Sequence, residues 1–339
     1  MLSFVVAKGK LKRSERPRPW LRRGWALIRV RLAGICNTDI ELLRGYLAFG
    51  GIPGHEFVGD VADVHGVSAA QKDKWVGRRV CGEINVSCSA YADRSICEFC
   101  KRGWKTHCAR RTVLGIVAHH GAFAEFLTLP LENLHLLPDS LSDERAVFVE
   151  PLAAACRILE QVEVRNFPSA VVLGDGKLAQ LIARVLRTAL PRVVMYGKHE
   201  NKLALARQAG IETQPVPVDS SGIKRLQDSA PLVIEATGSR AGLAFAQQIT
   251  EPRGTLVLKS TFHGAAPETW PLVVKELTVV GSRCGPFETA IALLQSGKVD
   301  PTPLISRTFP LEKAPTAIRF AQRPGVMKVL LTFGGAKDN

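Results

Sequence analysis

Apolar positions along this chain change their rhythm near residue 140. Up to about residue 135 they come in short runs, at 25–32, 56–64, 76–80 and 123–129, broken by Pro17, Pro19, Pro53 and many glycines. Short runs between turn formers predict strands, and hence a compact β-rich module. The run 146–159, preceded by Ser142 and Glu144, predicts a helix. Beyond Pro168, strand-like and helix-like segments alternate. Residues 169–173, 192–196, 232–235, 255–259 and 277–281 are short apolar strands. Residues 177–188, 201–208, 240–248 and 287–295 are helical, and Leu178, Leu181, Ile182, Val185 and Leu186 share one face of the first of these. Alternation of this kind predicts a doubly wound parallel sheet. The strand-like run at 328–333 returns to the first module.

A length of 339 residues fits two domains of roughly 150 residues each. At 46% apolar and 22% charged, the chain is too apolar for disorder. No apolar run reaches the ~18 residues needed to span a bilayer. The N-terminal run MLSFVVAKGKLKR has its charges after its apolar residues, unlike a secretory leader. Together these features predict a cytoplasmic protein with no membrane partner. The formal charge of +14 is spread along the chain without a nucleic-acid-binding motif, so it predicts a basic surface or an anionic small ligand rather than nucleic acid.

The first chemical signal lies at residues 171–179. An apolar strand runs into Gly174-Asp175-Gly176-Lys177-Leu178-Ala179 and then a helix. Gly174 allows a tight turn, Gly176 allows close approach of a pyrophosphate, and Ala179 allows close helix–strand packing. Unpaired N–H groups at the helix N-terminus suit the phosphates. About 20 residues further on, an NAD-binding chain usually carries an acid for the ribose 2′-hydroxyl. Here that strand ends in Tyr196-Gly197-Lys198-His199. With no acid and two potential cations, the sequence predicts NADP(H) over NAD(H).

The second signal is metal-type side chains in three short segments: Gly34-Ile35-Cys36-Asn37-Thr38-Asp39, Gly54-His55-Glu56 and Val149-Glu150-Pro151. The third is Cys88, Cys97, Cys100 and Cys108, a cluster that in a cytosolic chain points to metal more than to disulfides. In this order, ahead of a dinucleotide fingerprint, the segments resemble the medium-chain dehydrogenase/reductase superfamily in its zinc-dependent alcohol dehydrogenase-like branch. The resemblance extends to Glu235-Ala236-Thr237-Gly238, Gly281-Ser282-Arg283-Cys284 and Lys328-Val329-Leu330.

That resemblance implies an α/β architecture. A GroES-like catalytic domain would span 1–151 and 285–339, with a Rossmann domain inserted at 152–284. Cys36, His55 and Glu150 would hold a catalytic zinc with one position open. Glu56 would approach or tune the metal, Thr38 would relay the substrate proton, and Asp39 would orient His55. Gly174–Leu178, Gly197, Lys198, His199, Thr237 and Gly238 would line the cofactor. Lys328 would reach its phosphates or serve as a surface lysine. Cys88, Cys97, Cys100 and Cys108 would form a structural zinc lobe, residues 88–108, with 89–96 as an inserted loop and Asp93 as the alternative to Cys88. His119 and His120 would line the pocket or hold a loop.

The implied activity is hydride transfer between NADP(H) and a small alcohol or carbonyl substrate in the cleft between the domains, by a homodimer or homotetramer. The alternatives are a polyol, sugar or amino-alcohol dehydrogenase of the threonine type and, more remotely, a non-catalytic zinc- and nucleotide-binding protein. The intact Cys36, His55 and Glu150 set argues against the last.

Overall fold

The computed structural model describes residues 1–334 apart from 92, 263 and 266. The chain divides into two compact units, Met1–Glu150 with Asp300–Asn339, and Pro151–Val299. The second unit therefore runs past the expected boundary at 284. Helix Phe287–Gln295 belongs to it, and Gly285 explains the tight join: a Cβ there would fall 1.9 Å from the Ala153 carbonyl oxygen.

The first unit is built on a sheet in the order Ile305–Pro310, Lys328–Thr332, Trp25–Ile35, Glu56–Val64, Arg79–Gly82, Leu134–Leu136, with Phe126–Pro130 pairing the Trp25–Ile35 strand. Its core gathers Phe4, Trp25, Ile28, Ile35, Phe57, Val80, Phe123, Leu129 and Val329. Each such side chain, once buried, contributes roughly 1.5–3 kcal/mol. Register decides what meets at one end of the central strands. Val329 pairs Ile35, and Gly34 pairs both Leu330 and Glu56. Cys36, Glu56 and Lys328 thus arrive side by side.

The hairpin of Leu2–Ala7 and Lys10–Glu15 was not expected. Its second strand, KLKRSE, is polar and largely exposed, so it carries no alternation to read. The 76–80 run begins as the end of helix Ala69–Trp75, capped by Ser68, and only Arg79–Gly82 is strand.

The second unit is a parallel sheet in the order Glu212–Pro215, Val193–Gly197, Ala170–Leu173, Ala230–Glu235, Thr250–Leu258, Thr278–Gly281. Successive strands lie on opposite sides of Ala170–Leu173, which makes its C-terminal end the switch point where ligands bind in such sheets. Helix Lys177–Arg187 buries Leu181, Ile182, Val185 and Leu186 of the expected face, whereas Leu178 at its start is half-buried. It also buries Arg184, whose guanidinium donates to the Gln180 side chain at 2.6 Å and to the Leu205 carbonyl at 2.9 Å. No helix is long and apolar enough to cross a membrane among the described residues.

Candidate active site

The Trp25–Ile35 strand ends one residue before Cys36, which caps helix Asn37–Leu43. Asp39, wholly buried, accepts from the Cys36 N–H at 2.8 Å and from the Gly54 N–H at 3.0 Å. One carboxylate thereby ties the Cys36 turn to the residue before His55. Its Oδ1 lies 3.4 Å from His55 Nδ1, an ion-pair distance without hydrogen-bond alignment. Gly34 permits the next contact: a Cβ there would fall 2.2 Å from Glu56 Oε2.

Donor atoms of Cys36, His55 and Glu56 lie within 4.8 Å of one another. The Thr38 hydroxyl lies 3.7 Å from Cys36 Sγ. Burial opposes charge on His55, yet Asp39 and Cys36 outweigh it and raise its pKa well above the usual value. A thiol, an imidazole and a carboxylate this close offer sulfur, nitrogen and oxygen donors, a set that suits zinc.

Glu150 is not in that group of three. It lies in the first turn of helix Val149–Gln161, near enough to help raise the Lys328 pKa. Lys328 requires a correction. It was expected at cofactor phosphates or on the surface, but it is 2% exposed and donates to Glu56 Oε2. Burial alone would lower its pKa, but Glu56, Cys36 and Glu150 outweigh burial and raise it. Its ammonium is spent inside the donor cluster, because an unpaired buried charge would cost several kcal/mol. The sequence contained no signal for this pairing, since 272 residues separate the partners.

In the lobe, the sulfurs of Cys88, Cys97, Cys100 and Cys108 lie within 4.8 Å of one another, and none is in a disulfide. Cys88 is thus the fourth sulfur, and Asp93 is not part of the cluster. Backbone N–H groups face them: Cys88 N donates to Cys108 Sγ at 3.2 Å, and Cys97 N to Cys88 Sγ at 3.3 Å. The backbone N–H groups of Cys100 and Ala109 pull the Cys97 thiol down to about 6. Burial, then the neighbouring sulfurs, push Cys100 up to about 12. Four sulfurs this close ionise together only around a cation, which fits a closed tetrahedral metal site.

His119 and His120 hold loops. His119 stacks on Trp25 at 5.7 Å and its Nε2 lies 2.9 Å from the Thr128 carbonyl oxygen, while the Ile52 N–H donates to His120 Nδ1 at 3.3 Å.

In the second unit, Gly174 has φ +111°, and a Cβ there would fall 2.8 Å from the Ala236 carbonyl oxygen. Gly176 caps helix Lys177–Arg187, and a Cβ there would meet nothing within 4 Å. That open space beside a helix N-terminus fits the approach of a pyrophosphate. Thr237 donates from N–H and hydroxyl to Glu235, and the Gly238 N–H donates to Ser260 Oγ at 2.8 Å, which fixes the turn after Ala230–Glu235. Asp175 does more than fill the glycine turn. Its Oδ2 accepts from the N–H groups of Lys198 at 2.7 Å and His199 at 2.8 Å, and lies 2.9 Å from His199 Nδ1.

A family model described as alcohol dehydrogenase GroES-like domain matches residues 22–139, and one described as zinc-binding dehydrogenase matches residues 176–296. The erythritol/L-threitol dehydrogenase of Mycolicibacterium smegmatis is 28% identical, with 86% of each chain covered. The D-altritol 5-dehydrogenase of Agrobacterium fabrum is 29% identical over 96% of this chain and 97% of its own. The alcohol dehydrogenase RspB of Escherichia coli CFT073, solved with NADH, superposes with a TM-score of 0.88 at 28% identity, covering 98% of this chain and 99% of that one.

Proposed function

Because the chain belongs to the zinc-dependent alcohol dehydrogenase-like branch of the medium-chain dehydrogenase/reductase superfamily, we propose that it is a polyol dehydrogenase, oxidising one CH–OH of a short sugar alcohol or reducing the matching ketose. The observation that carries the reading is the convergence of Cys36 with the buried His55 and Glu56 beside the Thr38 hydroxyl. Among the expected activities, the polyol alternative is supported by relatives named for erythritol, threitol and altritol.

Bound at this cluster, zinc would supply a Lewis acid and the dinucleotide a hydride acceptor. The chain's own residues do the rest. Cys36 and His55 would hold the metal, with Glu56 or Glu150 as the carboxylate donor. Asp39 fixes the Cys36 turn and the Gly54 backbone in one geometry. Thr38 takes the hydroxyl proton of the alcohol, or returns it in the reverse direction. The glycine turn at Gly174–Gly176 would cradle the pyrophosphate. Lys198 supports NADP(H) as the preferred dinucleotide, since its ammonium has no carboxylate partner among the described residues and would attract a 2′-phosphate. Cys88, Cys97, Cys100 and Cys108 would hold a second zinc whose role is stability.

A substrate panel followed by reduced-cofactor absorbance tests the reading. Erythritol, threitol or altritol should exceed ethanol and 2-propanol in kcat/KM by at least about tenfold. Equal or better use of the simple alcohols would overturn the polyol assignment. Thr38→Val should lower kcat by about 10²-fold or more with zinc content unchanged. Metal analysis after dialysis separates the carboxylates, because zinc leaves fastest from whichever of Glu56→Ala and Glu150→Ala removes a ligand.

A further inference from the structure

The strand Val193–Gly197 ends without the acidic residue that commonly receives the ribose 2′-hydroxyl of NAD. The structure nevertheless has a carboxylate at that strand end, supplied by the neighbouring strand. Ala170–Leu173 and Val193–Gly197 run parallel with Leu173 opposite Tyr196. Asp175, two residues past Leu173, therefore lies opposite Lys198, two residues past Tyr196. Gly197 makes room for it, because a Cβ there would lie 2.7 Å from Asp175 Cβ and 2.8 Å from its Oδ2.

The carboxylate is held as an anion. Burial opposes its charge, but the His199 N–H, the His199 ring and the Lys198 N–H outweigh burial and lower its pKa. Its two oxygens are used unequally. Oδ2 takes three contacts within 2.9 Å, whereas Oδ1 has Lys202 Nζ at 3.7 Å as its nearby charge. Oδ1 is the oxygen with capacity left for a hydroxyl donor. Two of the three nearby basic residues, His199 and Lys202, face this carboxylate, which leaves the Lys198 side chain to meet a phosphate.

We propose that Asp175 is the specificity-determining residue for the dinucleotide: from the glycine turn it offers an acceptor to a ribose 2′-hydroxyl and repels a 2′-phosphate, opposing Lys198. The inference rests on the dinucleotide-binding reading above and deepens it. The outcome of the opposition is narrow discrimination between NADPH and NADH, in place of the strong NADP(H) preference that Lys198 and His199 alone would give. The position in the glycine fingerprint usually treated as a spacer thus acts for the missing acid of the next strand.

The test is equilibrium titration of the zinc-loaded enzyme with NADPH and with NADH, read by energy transfer from tryptophan to the reduced nicotinamide, without substrate turnover. Asp175→Asn keeps an oxygen for the Lys198 and His199 N–H groups and removes the charge. It should move the ratio of the two dissociation constants toward NADPH by about tenfold or more. His199→Gln removes the ring contact to Asp175 Oδ2 at 2.9 Å, leaves the carboxylate with more acceptor capacity and should move the ratio the other way, toward NADH. An unmoved ratio in Asp175→Asn, or a shift toward NADH, overturns the inference. Since His199→Gln alters an exposed ring, it keeps the proposal falsifiable if Asp175→Asn folds poorly: a shift toward NADPH in that variant also overturns it. Failure of wild type to bind either dinucleotide overturns the underlying reading of the loop, a different result from a ratio that does not respond.

Discussion

Cys88, Cys97, Cys100 and Cys108 come from one stretch of chain, whereas Cys36, His55, Glu56 and Lys328 come from three neighbouring strand ends, with 272 residues between the last two. Both clusters lie in the first unit and both collect sulfur. In the lobe, short turns aim backbone N–H groups at the sulfurs, and the geometry is largely local. In the candidate active site, position depends on sheet register and on one carboxylate, Asp39, that joins two segments. The local cluster is closed and mixes no donor types, so it suits stability. The distributed one mixes sulfur, nitrogen and oxygen, sits beside a hydroxyl, and has a buried ammonium on one of its carboxylates. A distributed site is exposed to errors anywhere in the sheet, but it brings together groups that no single turn could supply.

Breaking each cluster should therefore produce opposite phenotypes. Cys36→Ser should have the largest effect, a loss in kcat/KM on the order of 10³-fold, corresponding to several kcal/mol of transition-state stabilisation, with thermal unfolding little changed. Turnover near wild type would remove the metal reading of that cluster. Cys97→Ser should do the reverse. It should release the lobe's zinc and cost about 3 kcal/mol, roughly 6–12 °C in Tm, while kcat of the folded fraction stays close to wild type. A calorimetric scan with metal analysis measures both, and an unshifted Tm would argue against a structural metal. Asp39→Asn sharpens the comparison most finely. It leaves the ligands in place and weakens the tie between their segments, so zinc affinity or activity should fall about 10- to 100-fold. A loss below twofold would mean that sheet register alone positions His55.

The same contrast explains how much could be read in advance. The cysteine spacing and the glycine turn are local patterns, so the lobe and the dinucleotide loop were visible in the chain. The strand at 56–64 and the helix at 287–295 were also visible, because their apolar periods are long enough to stand out. The polar second strand of the N-terminal hairpin was not, since it buries no face of its own. The helix face at Gln180 and Arg184 was hidden for the opposite reason: polar residues are buried there because they bond each other and the next helix. Lys328 looked like a surface or phosphate-binding lysine, because nothing near it in sequence is acidic.

The sequence by itself determined the change from a β-rich module to alternating strands and helices, the glycine turn and the identity of the donor atoms. Those follow from hydrophobic period, turn chemistry and residue type, all of which act over a few residues. Only the tertiary structure decided that Lys328 belongs to Glu56 and that Asp175 stands at the end of the neighbouring strand. Both depend on strand register, where a shift of one residue would turn every side chain to the opposite face, and register is set by the packing of the whole sheet.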